Sequence, residues 1–272
     1  MCGGAINLTG VPQTTLWSFW YRASEAKKDN PVIRDETAVA ALNRVSYDFE
    51  GTFGEPDVTI SLRSIYSDVL IREFLQKHPD GTVIVLGEGL ETQFWRTDNG
   101  RVLWYTVDLP ETIQVREKFF PGHERNTHIS CSALDPGWSQ NIEKDRPVFI
   151  STSGLLMYFK PSDVLQLLQH ISTSFPGAQL FMDIVPPFVS FASRFGVPIT
   201  DNFRMPRMHF GVTLSRAAKF FEKAGGLTVD SVVSFTEAFP DHNRELAVFH
   251  KYRWLRDIFI GGFVHAKVGN NV

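Results

Sequence analysis

Residues 83–92 read Val-Ile-Val-Leu-Gly-Glu-Gly-Leu-Glu-Thr, and Val-Asp-Leu-Pro follows at 107–110. A short apolar strand runs into a turn bracketed by Gly87 and Gly89, and a carboxylate, Asp108, comes 21 residues after Gly87. Glycines let backbone pass close to a ligand. A carboxylate at the tip of the following strand can accept hydrogen bonds from ribose hydroxyls. A Gly-x-Gly turn alone is also compatible with an ordinary tight turn; the Asp108 spacing makes it specific.

The flanking sequence alternates. Residues 12–48 read as helix in pieces, with Arg34-Asp35-Glu36-Thr37 opening an alanine-rich turn, and 60–78 read as one helix broken by Pro79-Asp80-Gly81. Strands are predicted at 82–86, 102–107, 127–130, 147–151, 178–183, 227–234 and 246–252. Helices are predicted from Pro110 to about Phe120 and over 161–174 and 213–224. Alternating strands and helices imply an α/β fold with a mostly parallel sheet, whose ligands bind beyond the carboxyl ends of the strands. Gly87, Asp108, Ser132 and Ser153 all fall at such ends. The segment 184–212 is Pro-rich, aromatic and longer than a plain connection, which marks a lid. The chain reads as a single domain, 1–272, with an N-terminal helical cap over about 1–80 and the lid over about 184–212.

Composition bounds the function. Of 272 residues, 27 are basic and 30 acidic, a near balance that argues against nucleic acid as partner. The two cysteines, Cys2 and Cys131, make no disulfide framework, and the first 20 residues lack the pattern of a secretory signal; a cytoplasmic location is expected. No apolar run approaches the ~20 residues of a membrane helix, and no metal is called for. The 23 Phe include clusters at 188–195 and 203–210, read either as core or as a pocket for a flat apolar substrate. Nothing fixes the oligomeric state.

The turn also says which nucleotide to exclude. A dinucleotide fingerprint needs a third glycine where Thr92 stands, and the Gly-Lys-Ser/Thr of a phosphate loop is absent. A cofactor with adenosine and no phosphates fits better, and S-adenosylmethionine is the obvious one.

Several further segments carry a resemblance: Leu62-Arg63-Ser64-Ile65-Tyr66-Ser67-Asp68, the run from Val85 to Phe94, Val107-Asp108-Leu109-Pro110, Leu134-Asp135-Pro136-Gly137-Trp138, and Gly154-Leu155-Leu156-Met157-Tyr158-Phe159. In order and spacing over roughly 20–185, the chain resembles the leucine carboxyl methyltransferase family, in its bacterial, secondary-metabolite branch of polyketide O-methyltransferases. The resemblance implies a class I, Rossmann-like methyltransferase fold of seven strands with one antiparallel strand near the sheet's end. It implies S-adenosylmethionine as methyl donor and an oxygen acceptor. It assigns Arg63 to the carboxylate of the methionine part, Gly87, Glu88 and Gly89 to the methionine moiety, and Asp108 with Leu109 to the ribose. Ser132 and Ala133 are assigned to the adenine, and Leu134 and Ser153 are counted with them among the cofactor-binding residues. Arg63 also reads as a surface arginine on a helix, and Asp108 as a helix cap. Arg22, in Trp20-Tyr21-Arg22-Ala23, lies in a segment that resembles one of the family's that reaches into the active site, which makes it a candidate catalytic residue that steadies an acidic substrate or the cofactor carboxylate.

The chain departs from the family's pattern at four places. Glu88 replaces a small residue, Glu91 an aspartate, and Ser153 and Ser132 acidic residues. For catalysis, His209 in the lid is the candidate base, with a structural or solvated histidine as the other reading; Tyr158 either orients the acceptor or packs beneath the strand. The expected function is O-methylation of a carboxylate or hydroxyl oxygen on a small aromatic or polyketide-like metabolite. Methylation of a protein C-terminus, or binding without methyl transfer, are the alternatives.

Overall fold

The computed structural model describes residues 6, 8–120, 122–242 and 252–269. Seven strands form one sheet: β1 (Thr82–Leu86), β2 (Leu103–Asp108), β3 (Asn126–Ser130), β4 (Val148–Ser151), β5 (Gln179–Ile184), β6 (Leu227–Ser234) and β7 (Gly262–Val268). Their order is β3-β2-β1-β4-β5-β7-β6. The first five pair in parallel, and β7 lies antiparallel to both β5 and β6. The chain winds outward from β1 to β3, then restarts on the other side at β4, so the switch point lies between β1 and β4.

Four helices precede the sheet: α1 (Thr14–Ala26), α2 (Glu36–Leu42), α3 (Phe49–Phe53) and α4 (Thr59–Lys77). The side chain of Asp35 caps α2 by accepting from the Ala38 N–H at 3.0 Å. Between and after the strands come α5 (Gln93–Thr97), α6 (Pro110–Phe119), α7 (Pro161–Ser174), α8 (Pro187–Ser193), α9 (Leu214–Phe221), α10 (Phe235–Ala238) and α11 (Arg253–Phe259).

Strand β1 is buried along its length because both faces are covered. Val83 and Val85 pack with Ile71, Phe74 and Leu75 of α4, while Ile84 and Leu86 face Val164, Leu167 and Leu168 of α7. Each such aliphatic side chain contributes about 1.5–3 kcal/mol when fully buried. A third cluster joins α1, α2 and α3 to Val115, Phe119 and Phe120 at the end of α6.

The closing strand differs from expectation. The stretch 246–251 lies outside the described residues, Tyr252 caps α11, and the strand inserted between β5 and β6 is β7, at 262–268. It opens on Gly261-Gly262. Here those glycines answer close packing: a β-carbon on Gly262 would lie 2.4 Å from the Val233 carbonyl oxygen.

Candidate active site

A cavity of about 530 Å³ lies at the carboxyl ends of β1, β2, β4 and β5, with Thr14, Thr15, Trp17 and Ser18 of α1 on its wall. The turn after β1 is one edge of it. Gly87 and Gly89 have φ of +69° and +59°, a region side-chain-bearing residues seldom adopt. A β-carbon on Gly87 would sit 2.7 Å from Leu155 Cδ1 and one on Gly89 2.2 Å from Thr15 Oγ1, so both positions are also closed by neighbours.

Asp108, at the end of β2, braces this turn. Its two oxygens accept from the Gly89 and Leu109 N–H groups, each at 2.7 Å. Burial raises its pKa above the ordinary aspartate value, opposed by those two N–H groups. Acceptor positions remain on both oxygens, which is the chemistry a ribose diol requires.

Glu88 turns away from the cavity centre. Its side chain is fully buried and faces Arg116 of α6 at 3.1 Å, with Trp104 Nε1 and the Thr106 hydroxyl also donating to it. Burial pushes its pKa up, and Arg116 pulls it back. Arg116 further donates to the carbonyl oxygens of Gly89 and Glu91, each at 2.7 Å. The charge between the two glycines therefore serves the back of the turn: one buried guanidinium holds the loop at Glu88, Gly89 and Glu91.

Arg22 is likewise saturated. It is 1% exposed and donates to Asp35 at 2.9 Å, Glu91 at 3.0 Å and the Leu90 carbonyl at 2.7 Å. Glu91 also meets Arg96 at 2.8 Å and the Ser64 hydroxyl at 2.7 Å; these cations hold its carboxyl far below the usual glutamate range although burial works against them. The network ties α1, α2 and α4 to the loop after β1. Arg22 touches the cavity as part of its frame, its charge spent on Asp35 and Glu91, and not as a free cation for a ligand.

Arg63, on α4, faces the cavity and lies 3.2 Å from Asp183 at the end of β5. Asp183 also accepts from the Gly154 N–H at 2.8 Å. Ser153, Tyr158, Ser132 and Ala133 line the same cavity. Burial raises the pKa of the Tyr158 phenol, against the Thr14 hydroxyl and Arg63, so this group is a protonated donor at neutral pH.

Two expected residues are not brought to the cavity. His209 is exposed; in the extended segment around it Met208 and Phe210 turn inward, which sends the intervening side chain to solvent, and the His209 N–H donates to the Met157 carbonyl at 2.7 Å. Leu134 is 40% exposed and lines a separate surface groove with Pro136 and His170. Conversely, Asp183, Arg116 and Thr15 went unread in the sequence. Asp183 had a signal, since it ends a predicted strand; the other two become visible only through contacts distant in sequence.

Beyond Asp183 the lining changes character: Val185, Pro186, Val189, Met208, Phe235 and Ile260 make an apolar lobe. No histidine lines the cavity among the described residues, and no group of three or more His, Cys, Asp or Glu there is arranged to hold a metal ion. Nor is any described helix long and apolar enough to cross a membrane.

The family model for leucine carboxyl methyltransferase matches residues 15–172. The chain is 30% identical over 194 residues to the tetracenomycin polyketide synthesis O-methyltransferase TcmP of Streptomyces glaucescens, covering 70% of this chain and 72% of that one. It is 28% identical to the S-adenosyl-L-methionine-dependent methyltransferase dpfgK of Gibberella zeae, covering 63% of this chain and 64% of the relative. Among solved structures, a protein of Thermobifida fusca YX assigned as a methyltransferase superposes with a TM-score of 0.56 at 18% identity, over 93% of this chain and 94% of its own. An O-methyltransferase family protein of Burkholderia thailandensis gives 0.51 at 15% identity, over 96% and 71%. The turn with its paired glycines, the ribose-type carboxylate and the seven-stranded sheet with its one antiparallel insertion are thus those of an S-adenosylmethionine-dependent methyltransferase, and the chain belongs to the leucine carboxyl methyltransferase family.

Proposed function

We propose that the protein methylates an oxygen atom of a small, aromatic or polyketide-like metabolite. The observation that carries this reading is the apolar lobe around Val185, Val189, Met208 and Ile260, contiguous with the charged part of the cavity and suited to a flat ring system. S-adenosylmethionine supplies an electrophilic methyl group on a sulfonium when bound. The residues present fit that cofactor: Asp108 offers two carboxylate oxygens to a diol, Gly87 and Gly89 put bare backbone at the cavity edge where a β-carbon would clash, and Arg63 offers a guanidinium to a carboxylate. Ser132 and Ala133 are the residues we assign to the adenine.

The chain's own part in the chemistry is alignment and exclusion of water, effects that together can lower a barrier by several kcal/mol. Tyr158, kept protonated by burial, orients an acceptor oxygen by donating to it rather than by removing its proton. With His209 facing solvent, the acceptor either arrives ionised, as a carboxylate does, or loses its proton to water. We read residues 1–272 as one methyltransferase domain in which the helices before β1 and the segment 184–212 cover the cleft, supported by Thr15, Trp17, Val189 and Met208 on its wall. A reducing, cytoplasmic setting is supported by the two-cysteine sequence.

A second reading has its own support. Phe188, Phe191, Phe195 and Trp254 are exposed on or beside α8 and α11, beside the lobe, a surface that suits a protein substrate. Transfer of radiolabelled methyl groups to a metabolite extract and to a protein extract separates the two. Counts in small molecules alone support the first reading, counts in protein the second, and none in either a member that binds without transfer.

A further inference from the structure

We infer that the face formed by α8 and α11 docks on an anionic lipid surface, with its aromatic side chains at the headgroup boundary and its arginines on the lipid phosphates; this goes beyond the proposed reaction and does not depend on it.

Helix α8 is polar inside and apolar outside. Ser190 and Ser193 are buried, the Ser190 hydroxyl donating to the Met208 carbonyl at 3.1 Å and the Met208 N–H donating to Ser193 Oγ at 2.8 Å. Phe188, Phe191 and, just past the helix end, Phe195 stand at i, i+3 and i+7 and face solvent, Phe195 with 75% of its surface exposed. Folding alone would turn such a stripe toward the core. Trp254 and Ile258, one helical turn apart on α11, extend the exposed apolar face, Trp254 at 64%. The two helices meet where Phe188 packs on Phe259, with ring centroids 5.0 Å apart. Phe259 also lines the cavity, so the patch is continuous with the apolar lobe.

Charge selects the occupant. The chain as a whole carries a net charge of −3. This face is flanked by exposed arginines instead. Arg194 lies over the Phe191 ring at 5.9 Å, Arg204 donates to the Gly196 carbonyl beside Phe195 at 2.9 Å, and Arg207 and Arg253 are exposed. Asp257 of α11 and the neighbouring Glu237 are both paired with Arg256, at 3.8 and 3.5 Å. The single acid of 187–207, Asp201, sits in a turn that packs toward α3, where Asn202 donates to the Gly51 carbonyl at 2.8 Å. Aromatic side chains ringed by cations suit the boundary between anionic headgroups and acyl chains. A second copy meeting this face about a two-fold axis would set the arginines against their own counterparts. No described helix is long and apolar enough to cross a bilayer, so the face lies on the surface.

Vesicle sedimentation tests this with the full chain and no cofactor. Sucrose-loaded vesicles of phosphatidylcholine alone, or of phosphatidylcholine with phosphatidylglycerol, are mixed with the wild type, with Phe195→Ser/Trp254→Ser and with Arg194→Gln/Arg207→Gln. The wild type is expected to bind the anionic vesicles at least about tenfold more tightly than the neutral ones, and more weakly in high salt. Each arginine against an anionic surface contributes about a fivefold factor, so the arginine variant should lose roughly 25-fold there. The aromatic variant should lose at least about tenfold. None of the four residues lines the cavity, so both variants should keep the wild type's S-adenosylhomocysteine affinity within about twofold. A wild type that stays in solution beside anionic vesicles at low salt overturns the inference. Equal binding to neutral and anionic vesicles overturns it, as does binding that either variant retains in full. A face that ignores vesicles but supports dimerisation in velocity sedimentation, or methyl transfer to protein, and loses it in the aromatic variant, belongs to a second copy or a protein substrate, and the inference falls. A wild type that binds anionic vesicles but no S-adenosylhomocysteine removes the proposed reaction and leaves the docking face standing.

Discussion

Thr15 Oγ1 accepts a hydrogen bond from the Leu90 N–H at 2.6 Å and occupies the space that a β-carbon on Gly89 would need, 2.2 Å away. Helix α1 is thereby keyed onto the turn after β1. Gly89→Ala meets two penalties: about 1–2 kcal/mol for alanine in the left-handed region and about 1–3 kcal/mol for overpacking. Thermal unfolding should show a loss in the summed range, and S-adenosylhomocysteine affinity should fall with it. Removing the hydroxyl as well, in Gly89→Ala with Thr15→Ala, should recover only part, since the backbone strain stays and Leu90 loses its acceptor.

The pair Glu88–Arg116 predicts a pH signature. In Arg116→Met the buried Glu88 loses its cation, and its folded pKa, already raised by burial, rises further. The folded state then keeps a proton that an unfolded glutamate releases. Stability should be highest below the ordinary glutamate pKa and fall as pH rises from 5 toward 8. Glu88→Gln leaves Arg116 as the unpaired charge, costs about 3–5 kcal/mol, and lacks that pH trend. Denaturant titrations at several pH values check both, and parallel behaviour of the two variants would refute the account.

Glu91 carries the opposite sign. Arg22, Arg96 and Ser64 hold its folded pKa far below the usual value. Its contribution is therefore full above the unfolded glutamate pKa and lost as pH falls toward the folded one. The stability gap between wild type and Glu91→Gln should stay constant from pH 8 to 5 and narrow in more acidic solution. A gap that widened on acidification would contradict the network described.

What could be read from the chain alone follows from how local each feature is. Gly87, Gly89 and Asp108 are fixed by one strand–turn–helix–strand unit, so their spacing carries the cleft. The two-sided burial of β1 is written in its unbroken apolar run, and Pro110 marks α6. Glu88 was legible as an oddity but not as a solution, because Arg116 lies 28 residues on and meets it only when α6 packs behind β2. Asp183 meets Arg63 across 120 residues. His209 drew the eye as a residue type, yet a side chain's direction in an extended segment depends on what its neighbours bury, here Met208 and Phe210. Strand β7 was hidden by Gly261 and Gly262, whose need comes from the carbonyl oxygens of Ile184 and Val233.

Because His209 points to solvent, His209→Ala should change stability by no more than about 0.5 kcal/mol and leave methyl transfer within twofold of wild type. Tyr158→Phe removes a cavity-facing donor and should lower transfer more than it lowers S-adenosylhomocysteine affinity. Initial rates beside binding isotherms test both, and a large loss in His209→Ala would restore that residue as a base.

The division of the cavity into a charged part and an apolar lobe makes the last prediction. Val189 lies on α8 and lines the lobe, on the far side of Asp183 in sequence from Gly87, Glu91 and Asp108. Val189→Trp adds an indole where the acceptor ring is proposed to sit while leaving the residues assigned to the cofactor untouched. S-adenosylhomocysteine affinity should stay within about twofold. Methyl transfer should fall at least tenfold, a factor worth about 1.4 kcal/mol of barrier at 25 °C. If cofactor binding falls in step with transfer, the two parts of the cavity are one site. If neither changes, the acceptor enters elsewhere, and the aromatic surface of Phe188, Phe191 and Trp254 becomes the place to look for it.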